Sequence, residues 1–321
     1  METKKILVTG AVGQIGSELT AELRKKYGND NVVAAGHKKK PGKALQDGPF
    51  EFIDVTKKES IERVVEKYSI DTVYHMAAIL SAVGEKNPAL AWDVNMNGLY
   101  NILETAREHD MIGVFCPSSI AVFGPETPKE KTPQETVLRP RTMYGVTKVA
   151  GEMLCDYYFR KFEVDVRGLR YPGIISSETL PGGGTTDYAV EIFYEAVKNK
   201  KYTCFVKKDT VLPMMYMPDC IKATIDLMNA PLSSLRHHSD FNVTAMSFSA
   251  GELAEEIKNH IPDFVCEYRP DFRQNIAESW PRTIDDSAAR KEWGWKPAYG
   301  LSTMTTDMLK KLKKKYEEGK L

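Results

Sequence analysis

Tyr144 and Lys148 stand four residues apart in the run Tyr144-Gly145-Val146-Thr147-Lys148, at the start of a predicted helix. That spacing puts both side chains on one helix face. A tyrosine in water is too weak a base to work at neutral pH. An ammonium about 4 Å away favours the phenolate by roughly 4 kcal/mol at an effective dielectric near 20. The pair can therefore take the proton of an alcohol as a general base. Ser118-Ser119, at the end of a predicted strand, offers a hydroxyl that can hold the substrate oxygen as charge develops on it. Either serine alone also fits a strand-end cap.

Alcohol oxidation needs a hydride acceptor, and the chain start supplies a place for one. Gly10-Ala11-Val12-Gly13-Gln14-Ile15-Gly16 lies between a β-prone run, Lys5–Thr9, and a helical pattern over Ile15–Lys26. Glycines there allow a tight turn and a close approach to a pyrophosphate, and the helix start aims free N–H groups at the anion. Met76-Ala77-Ala78 closes a predicted fourth strand, and its small residues let a flat cofactor pass over the sheet edge. About 20 residues beyond the loop an acidic residue normally takes the ribose hydroxyls of NAD. Here Gly36 stands at that place, followed by His37-Lys38-Lys39-Lys40. The basic run suits the extra phosphate of NADP or a solvated loop, and both readings stand.

The elements that must position these residues alternate. Strands are predicted at Lys5–Thr9, Asn31–Ala35, Phe50–Val55, Thr72–Met76, Gly113–Pro117 and Val164–Leu169. Helices are predicted at Ile15–Lys26, Ser60–Tyr68, Ala89–His109 and Tyr144–Phe162. Short apolar runs alternating with amphipathic helices imply parallel βαβ units: an α/β fold with a Rossmann-like, doubly wound parallel sheet. After Pro172 turn signals become denser, with helices at Asp187–Lys198, Asp219–Met228, Ser249–Ile261 and Met304–Glu317. We therefore divide the chain into a dinucleotide-binding region, 1–172, and a smaller substrate-binding region, 173–321, with some segments returning to the sheet. The basic run Lys310–Lys315 reads as a solvated face near a helix C-terminus.

The 321 residues balance 44 Lys and Arg against 44 Asp and Glu. A nucleic-acid binder would carry a basic excess, so nucleic acid is excluded as a partner. No apolar run approaches the ~20 residues of a membrane span. The start, METKK, lacks the apolar stretch of a signal peptide. The expectation is a soluble intracellular protein, cytoplasmic in a bacterium or in the mitochondrial matrix of a eukaryote. Cys116, Cys155, Cys204, Cys220 and Cys266 show neither CxxC nor zinc-ligand spacing, so reduced thiols and no metal are expected.

The GxxGxxG spacing, the YxxxK pair and Ser118-Ser119-Ile120-Ala121-Val122-Phe123-Gly124 resemble the extended short-chain dehydrogenases/reductases. Finer stretches resemble one branch of that superfamily, the epimerase-like L-threonine 3-dehydrogenases. These are Ala78–Glu85, Arg170–Ser176, Leu180–Ala189 (LPGGGTTDYA), Ser279–Ser287 (SWPRTIDDS), Trp293-Gly294-Trp295 and Met304–Leu309. The resemblance covers almost the whole chain. It implies NAD as cofactor and oxidation of L-threonine at the Cβ hydroxyl to L-2-amino-3-oxobutanoate. That product either loses CO2 to give aminoacetone or is cleaved with coenzyme A to glycine and acetyl-CoA.

By the same resemblance Ser119, Tyr144 and Lys148 are catalytic. Gly10, Gly13, Gln14, Ile15, Gly16, His37, Asp54, Val55, Met76, Ala77, Ala78, Asn95, Tyr144, Lys148 and Ile174 surround the cofactor. Asp54 and Val55 match the adenine side, Ile174 the nicotinamide end, and Asn95 with Gly98 an N-x-x-G that supports the active-site strand. Ser81, Ser119, Tyr144, Thr185 and Thr186 match the substrate pocket. Relatives carry an acidic residue where Gly36 stands, and they pair through the helix bearing YxxxK. A homodimer through Ala89–His109 and Tyr144–Phe162 is therefore expected. Gly182–Gly184 fits a hinge or a static turn, and Trp280 is expected in a core rather than a site. Two other functions are compatible with the same scaffold. A nucleotide-sugar epimerase or dehydratase needs a clamp for a diphosphate, and the second half has no clear arginine cluster. A non-catalytic NAD sensor would not need the full Ser–Tyr–Lys set.

Overall fold

The computed structural model describes residues 4–180 and 182–321; Pro181, at the head of the glycine run, and the first residues of METKK lie outside them. The first half runs β1 (Ile6–Thr9), α1 (Gln14–Tyr27), β2 (Val32–Gly36), β3 (Phe50–Phe52), α2 (Lys58–Tyr68) and β4 (Thr72–His75). Then come α3 (Ser81–Lys86), α4 (Pro88–Trp92), α5 (Gly98–Glu108), β5 (Gly113–Phe115), β6 (Ser118–Ser119), α6 (Met143–Phe162) and β7 (Val166–Arg167). Six of these strands form one all-parallel sheet in the order β3-β2-β1-β4-β5-β7. The chain crosses over between β1 and β4, so the C-terminal ends of these strands open a crevice where ligands bind in such folds.

Alternate residues of the buried strands face opposite layers. Leu7, Val33, Val73 and Val114 pack against α2, α5 and α6 through Ile61, Val64, Ile102, Leu103 and Tyr158. Ile6, Val8, Val32 and Tyr74 pack against Leu19 and Leu23 of α1, and also against Met217, Cys220, Leu227 and Trp295 from the second half. The sheet is thus covered on both faces, as a parallel sheet must be.

The second half runs β8 (Leu169–Tyr171), β9 (Gly173–Ile175), α7 (Tyr188–Asn199), β10 (Lys201–Cys204), β11 (Val211–Tyr216), α8 (Met217–Asn229) and β12 (Phe241–Asn242). It continues through β13 (Met246–Ser249), α9 (Ala250–His260), β14 (Val265–Tyr268), α10 (Arg273–Ser279), α11 (Ser287–Trp293) and α12 (Leu301–Glu317). Its strands make three small sheets, β12-β8-β6, β13-β11-β9 and β10-β14. A separate core joins α7, α9 and α12 to Ile120–Phe123.

Three local expectations change. The single strand expected over Val164–Leu169 divides at Gly168, where a Cβ would sit 2.3 Å from the Cys116 carbonyl oxygen and 2.6 Å from that of Ser239. The chain passes too close to its neighbours there for any side chain, and β8 leaves the main sheet to pair with β6. The helix expected over Ala89–His109 is present from Pro88 to Glu108 without a break, but it widens into one π-helical turn over Asp93–Asn97 between α4 and α5. The basic run in α12 is not all solvated: Lys315 donates to the Ser177 carbonyl at 2.8 Å and pairs with Glu178 at 2.6 Å.

Candidate active site

The glycine loop is shaped by contact with the end of β4. Gly10 has φ +64°, and a Cβ on it would fall 2.6 Å from the Met76 carbonyl carbon and the Ala77 nitrogen. Only glycine lets the loop rest there. A Cβ on Gly16 would fall 2.3 Å from the Gly10 oxygen, so α1 also starts hard against the turn. Gly13 caps α1 without a side-chain bond, which leaves first-turn N–H groups free to meet an anion.

Two cavities meet over this loop. The inner one, about 220 Å³, is lined by Gly10, Gly13, Gln14, Ile15, Gly16, Met76, Ala78, Ser81, Ser119, Tyr144, Lys148, Ile174, Thr185 and Thr186, among others. The outer one, about 570 Å³, is lined by Gly36, His37, Asp54, Val55 and Ala77. Gly10, Gly13, Met76 and Ala78 line both, so the two form one groove along the strand ends. The residues fit a dinucleotide: Gly10, Gly13 and Gly16 keep the turn itself free of side chains, and the buried Nε2 of Gln14 has no hydrogen-bond partner among the described residues.

α6 carries the reactive pair. Its start is fixed by Thr142, whose hydroxyl accepts the Gly145 N–H at 3.0 Å. Lys148 Nζ lies 5.5 Å from the centre of the Tyr144 ring and donates to the Pro117 carbonyl at 2.7 Å. The two adjacent serines then divide. Ser118 donates to Glu152, itself buried and paired to Arg170 Nε and the guanidinium's second nitrogen at 2.9 and 2.8 Å. Ser119 lines the cavity beside Tyr144 while its oxygen accepts the Ala121 N–H at 3.2 Å. It is both a strand-end cap and a hydroxyl facing the cleft, with its own O–H left to donate.

Asn95 lines neither large cavity. Its Oδ1 accepts the Ile79 N–H at 2.8 Å, and its Nδ2 donates to the Ile79 carbonyl and to Thr147 Oγ1, each at 3.1 Å. Thr147 in turn donates to the Tyr144 carbonyl at 2.8 Å. Its side chain is engaged by protein and ties the β4–α3 loop to α6, outside both cavities of the groove. Behind it a pocket of about 20 Å³, room for one water, is bordered by Lys148, Asn95, Glu152 and His75. Burial, with the nearby Lys148 ammonium second, pulls His75 down to about 3. His75 is therefore neutral, with Nδ1 2.9 Å from Thr9 Oγ1.

At the far end, Ser81 at the start of α3 meets Thr185, with the two hydroxyl oxygens 3.3 Å apart. Two residues of this wall were not singled out as site residues from the sequence. Asp187 lines the cavity, and one carboxylate oxygen accepts the Gly183 and Gly184 N–H groups at 2.9 and 2.7 Å. Burial raises it to about 6, against the pull of those two bonds. Trp280 is buried in the second-half core as expected and also forms cavity wall. Both sit inside stretches already noted, LPGGGTTDYA and SWPRTIDDS, but nothing local separates a lining residue from its neighbours there. Among the described residues no cluster of His, Cys, Asp and Glu could hold a metal, and no helix is long and apolar enough to cross a membrane.

A parallel sheet with a glycine-lined dinucleotide groove ending on a Tyr–Lys–Ser set defines a Rossmann-type oxidoreductase scaffold. The profile of the NAD-dependent epimerase/dehydratase family matches residues 6–244, and the chain belongs to that family of NAD-dependent enzymes. A relative described as an uncharacterized epimerase/dehydratase from Staphylococcus haemolyticus is 52% identical over 314 residues, 97% of this chain and 98% of that one. The X-ray structure of an L-threonine dehydrogenase from Clostridium difficile is 55% identical with a TM-score of 0.95, covering 98% of this chain and 99% of its own. A monomeric L-threonine 3-dehydrogenase from a metagenome is 54% identical with a TM-score of 0.93, covering 96% and 99%.

Proposed function

We propose that the protein oxidises L-threonine at its Cβ hydroxyl to L-2-amino-3-oxobutanoate. The observation that carries this is convergence. Ser119, Tyr144 and Lys148 share one small cavity with Ser81, Thr185, Thr186 and Asp187, and that cavity opens directly into the dinucleotide groove. The solved structures most like this chain over its whole length include L-threonine dehydrogenases. Lys148 is the cation among the cavity-lining residues, which provides no arginine clamp for a sugar diphosphate.

Tyr144 takes the proton of the threonine hydroxyl, and Lys148 favours the phenolate by its charge. Ser119 donates to the same oxygen and holds it as the carbonyl forms. Asp187 faces the substrate ammonium, while Ser81, Thr185 and Thr186 bind the polar groups of the amino acid. Bound NAD supplies the hydride acceptor. Gly10, Gly13, Gln14, Ile15 and Gly16 would hold its pyrophosphate; His37, Asp54 and Val55 would serve its adenosine end, and Met76–Ala78 with Ile174 its nicotinamide end. On this reading residues 1–172 hold the cofactor and supply the reacting groups, and 173–321 mainly serve the substrate. The product feeds cleavage to glycine and acetyl-CoA, or decarboxylation to aminoacetone.

NADH formation with L-threonine and with other 3-hydroxy amino acids tests the reading, and chromatography of UDP-sugars incubated with the protein and NAD reads the redox-neutral alternative, which releases no NADH. Turnover of a UDP-sugar with none of threonine would overturn it. A second copy is the proposed partner. Trp92, Tyr100, Val146, Met153 and Tyr157 are exposed apolar side chains on α4, α5 and α6. Light scattering should give twice the chain mass, falling to one chain mass in Met153→Glu.

A further inference from the structure

Where a dinucleotide groove selects NAD, a carboxylate near the end of the second strand binds the adenosine ribose hydroxyls and repels a 2′-phosphate; a cationic residue nearby accommodates that phosphate. In this chain β2 ends on Gly36. A Cβ there would lie 3.1 Å from Phe50 Cζ, 3.2 Å from Val12 Cγ1 and 3.3 Å from the Lys39 carbonyl oxygen. No carboxylate stands at the position, and the packing around it is closed to one unless neighbours give way.

The next two residues, His37 and Lys38, line the outer cavity together with Gly36. The His37 side chain is 59% exposed, and its nearest acid is Asp54, 3.9 Å away. Two carboxylates also border this cavity, and each is already engaged. Asp54 accepts the Thr56 N–H at 3.1 Å and the Thr56 O–H at 2.7 Å, bonds that hold it below the usual carboxylate range. Asp93 accepts Asn97 Nδ2 at 2.7 Å. The strand end therefore presents Lys38 and the His37 imidazole where discrimination against a phosphate is normally built, with the ionised Asp54 carboxylate drawn to Thr56 and lying 3.9 Å from that imidazole.

We propose that the groove takes NADP as well as NAD, with Lys38 and His37 meeting the 2′-phosphate. This uses the dinucleotide groove but not the choice of L-threonine as substrate. Titration calorimetry on the full chain without amino acid tests it, with NAD, NADP, 5′-AMP and adenosine 2′,5′-bisphosphate as probes. NADP should bind within about tenfold of NAD. The bisphosphate should bind more tightly than 5′-AMP, by a margin that shrinks as salt rises. Lys38→Glu should lower the NADP-to-NAD affinity ratio by about tenfold or more, since it places a like charge against the phosphate. NAD binding without NADP binding would overturn the proposal. NADP binding whose ratio to NAD is untouched by Lys38→Glu would overturn the assignment of the phosphate to this strand end.

Discussion

Lys148 donates a 2.7 Å hydrogen bond to the carbonyl of Pro117, the residue that immediately precedes Ser118 and Ser119. This bond ties the helix that carries Tyr144 to the strand end that carries Ser119. Lys148→Met removes both the ammonium and this tether. We expect kcat to fall by roughly 10²–10⁴-fold and unfolding free energy to fall by about 1.5–3 kcal/mol, the value of a hydrogen bond to a charged group. Steady-state kinetics and urea denaturation read the two effects separately.

Asn95 holds Ile79 through both its N–H and its carbonyl and reaches Thr147 beneath Tyr144. Asn95→Ala leaves partly buried backbone groups unpaired, which costs about 1–3 kcal/mol each when water cannot replace the bond. The expected result is a lower denaturation midpoint together with a reduced kcat. If the variant kept wild-type stability and rate, the role of Asn95 as a clamp between α6 and the β4–α3 loop would be wrong.

Asp187 supplies the pH dependence. Burial lifts it to about 6, so its proton is retained as pH falls below that value and its negative charge is lost. An uncharged Asp187 no longer attracts the ammonium of an amino acid. KM for L-threonine should therefore rise as pH drops through 6, and Asp187→Asn should show a raised KM whose dependence on pH is flat across that window. A KM in the wild type that ignores pH between 5 and 7 would remove Asp187 from substrate binding.

Glu152 and Arg170 form a buried bidentate pair that also takes the Ser118 hydroxyl. Glu152→Ala leaves the buried guanidinium with only the Asp240 carboxylate, 3.6 Å away, as counter-charge, a loss of up to about 3–5 kcal/mol. Chemical denaturation should show it, and replacing Ser118 alone by Ala should have a much smaller effect.

Features set by a few adjacent residues could be read from the chain alone. The glycine loop, the β1–α1 junction and the YxxxK helix are local, and each appears where the spacing places it. Ser249 illustrates the same point, because it caps α9 in a reciprocal box with Glu252, four residues that carry their own start signal. The features that were not legible depend on distant partners. The π turn at Asp93–Asn97 goes with the bonds Asn95 makes to Ile79 and Thr147, 16 and 52 residues away. The division at Gly168 depends on the approach of Cys116 and Ser239. β10 pairs with β14 across a gap that no local pattern spans. Asp187 looked like a helix start and is one, yet its carboxylate also turns back onto the glycine run and the cavity.

In the proposed reaction Tyr144 removes the hydroxyl proton while hydride leaves Cβ, the carbon that bears that hydroxyl. The most direct measurement uses L-threonine deuterated at Cβ, with the wild-type chain and Tyr144→Phe side by side. We expect transfer of the deuterium to the reduced nicotinamide in the wild type, and no transfer in the variant although it still binds NAD. Deuterium remaining on threonine in the wild type, or transfer at an undiminished rate in the variant, would contradict it.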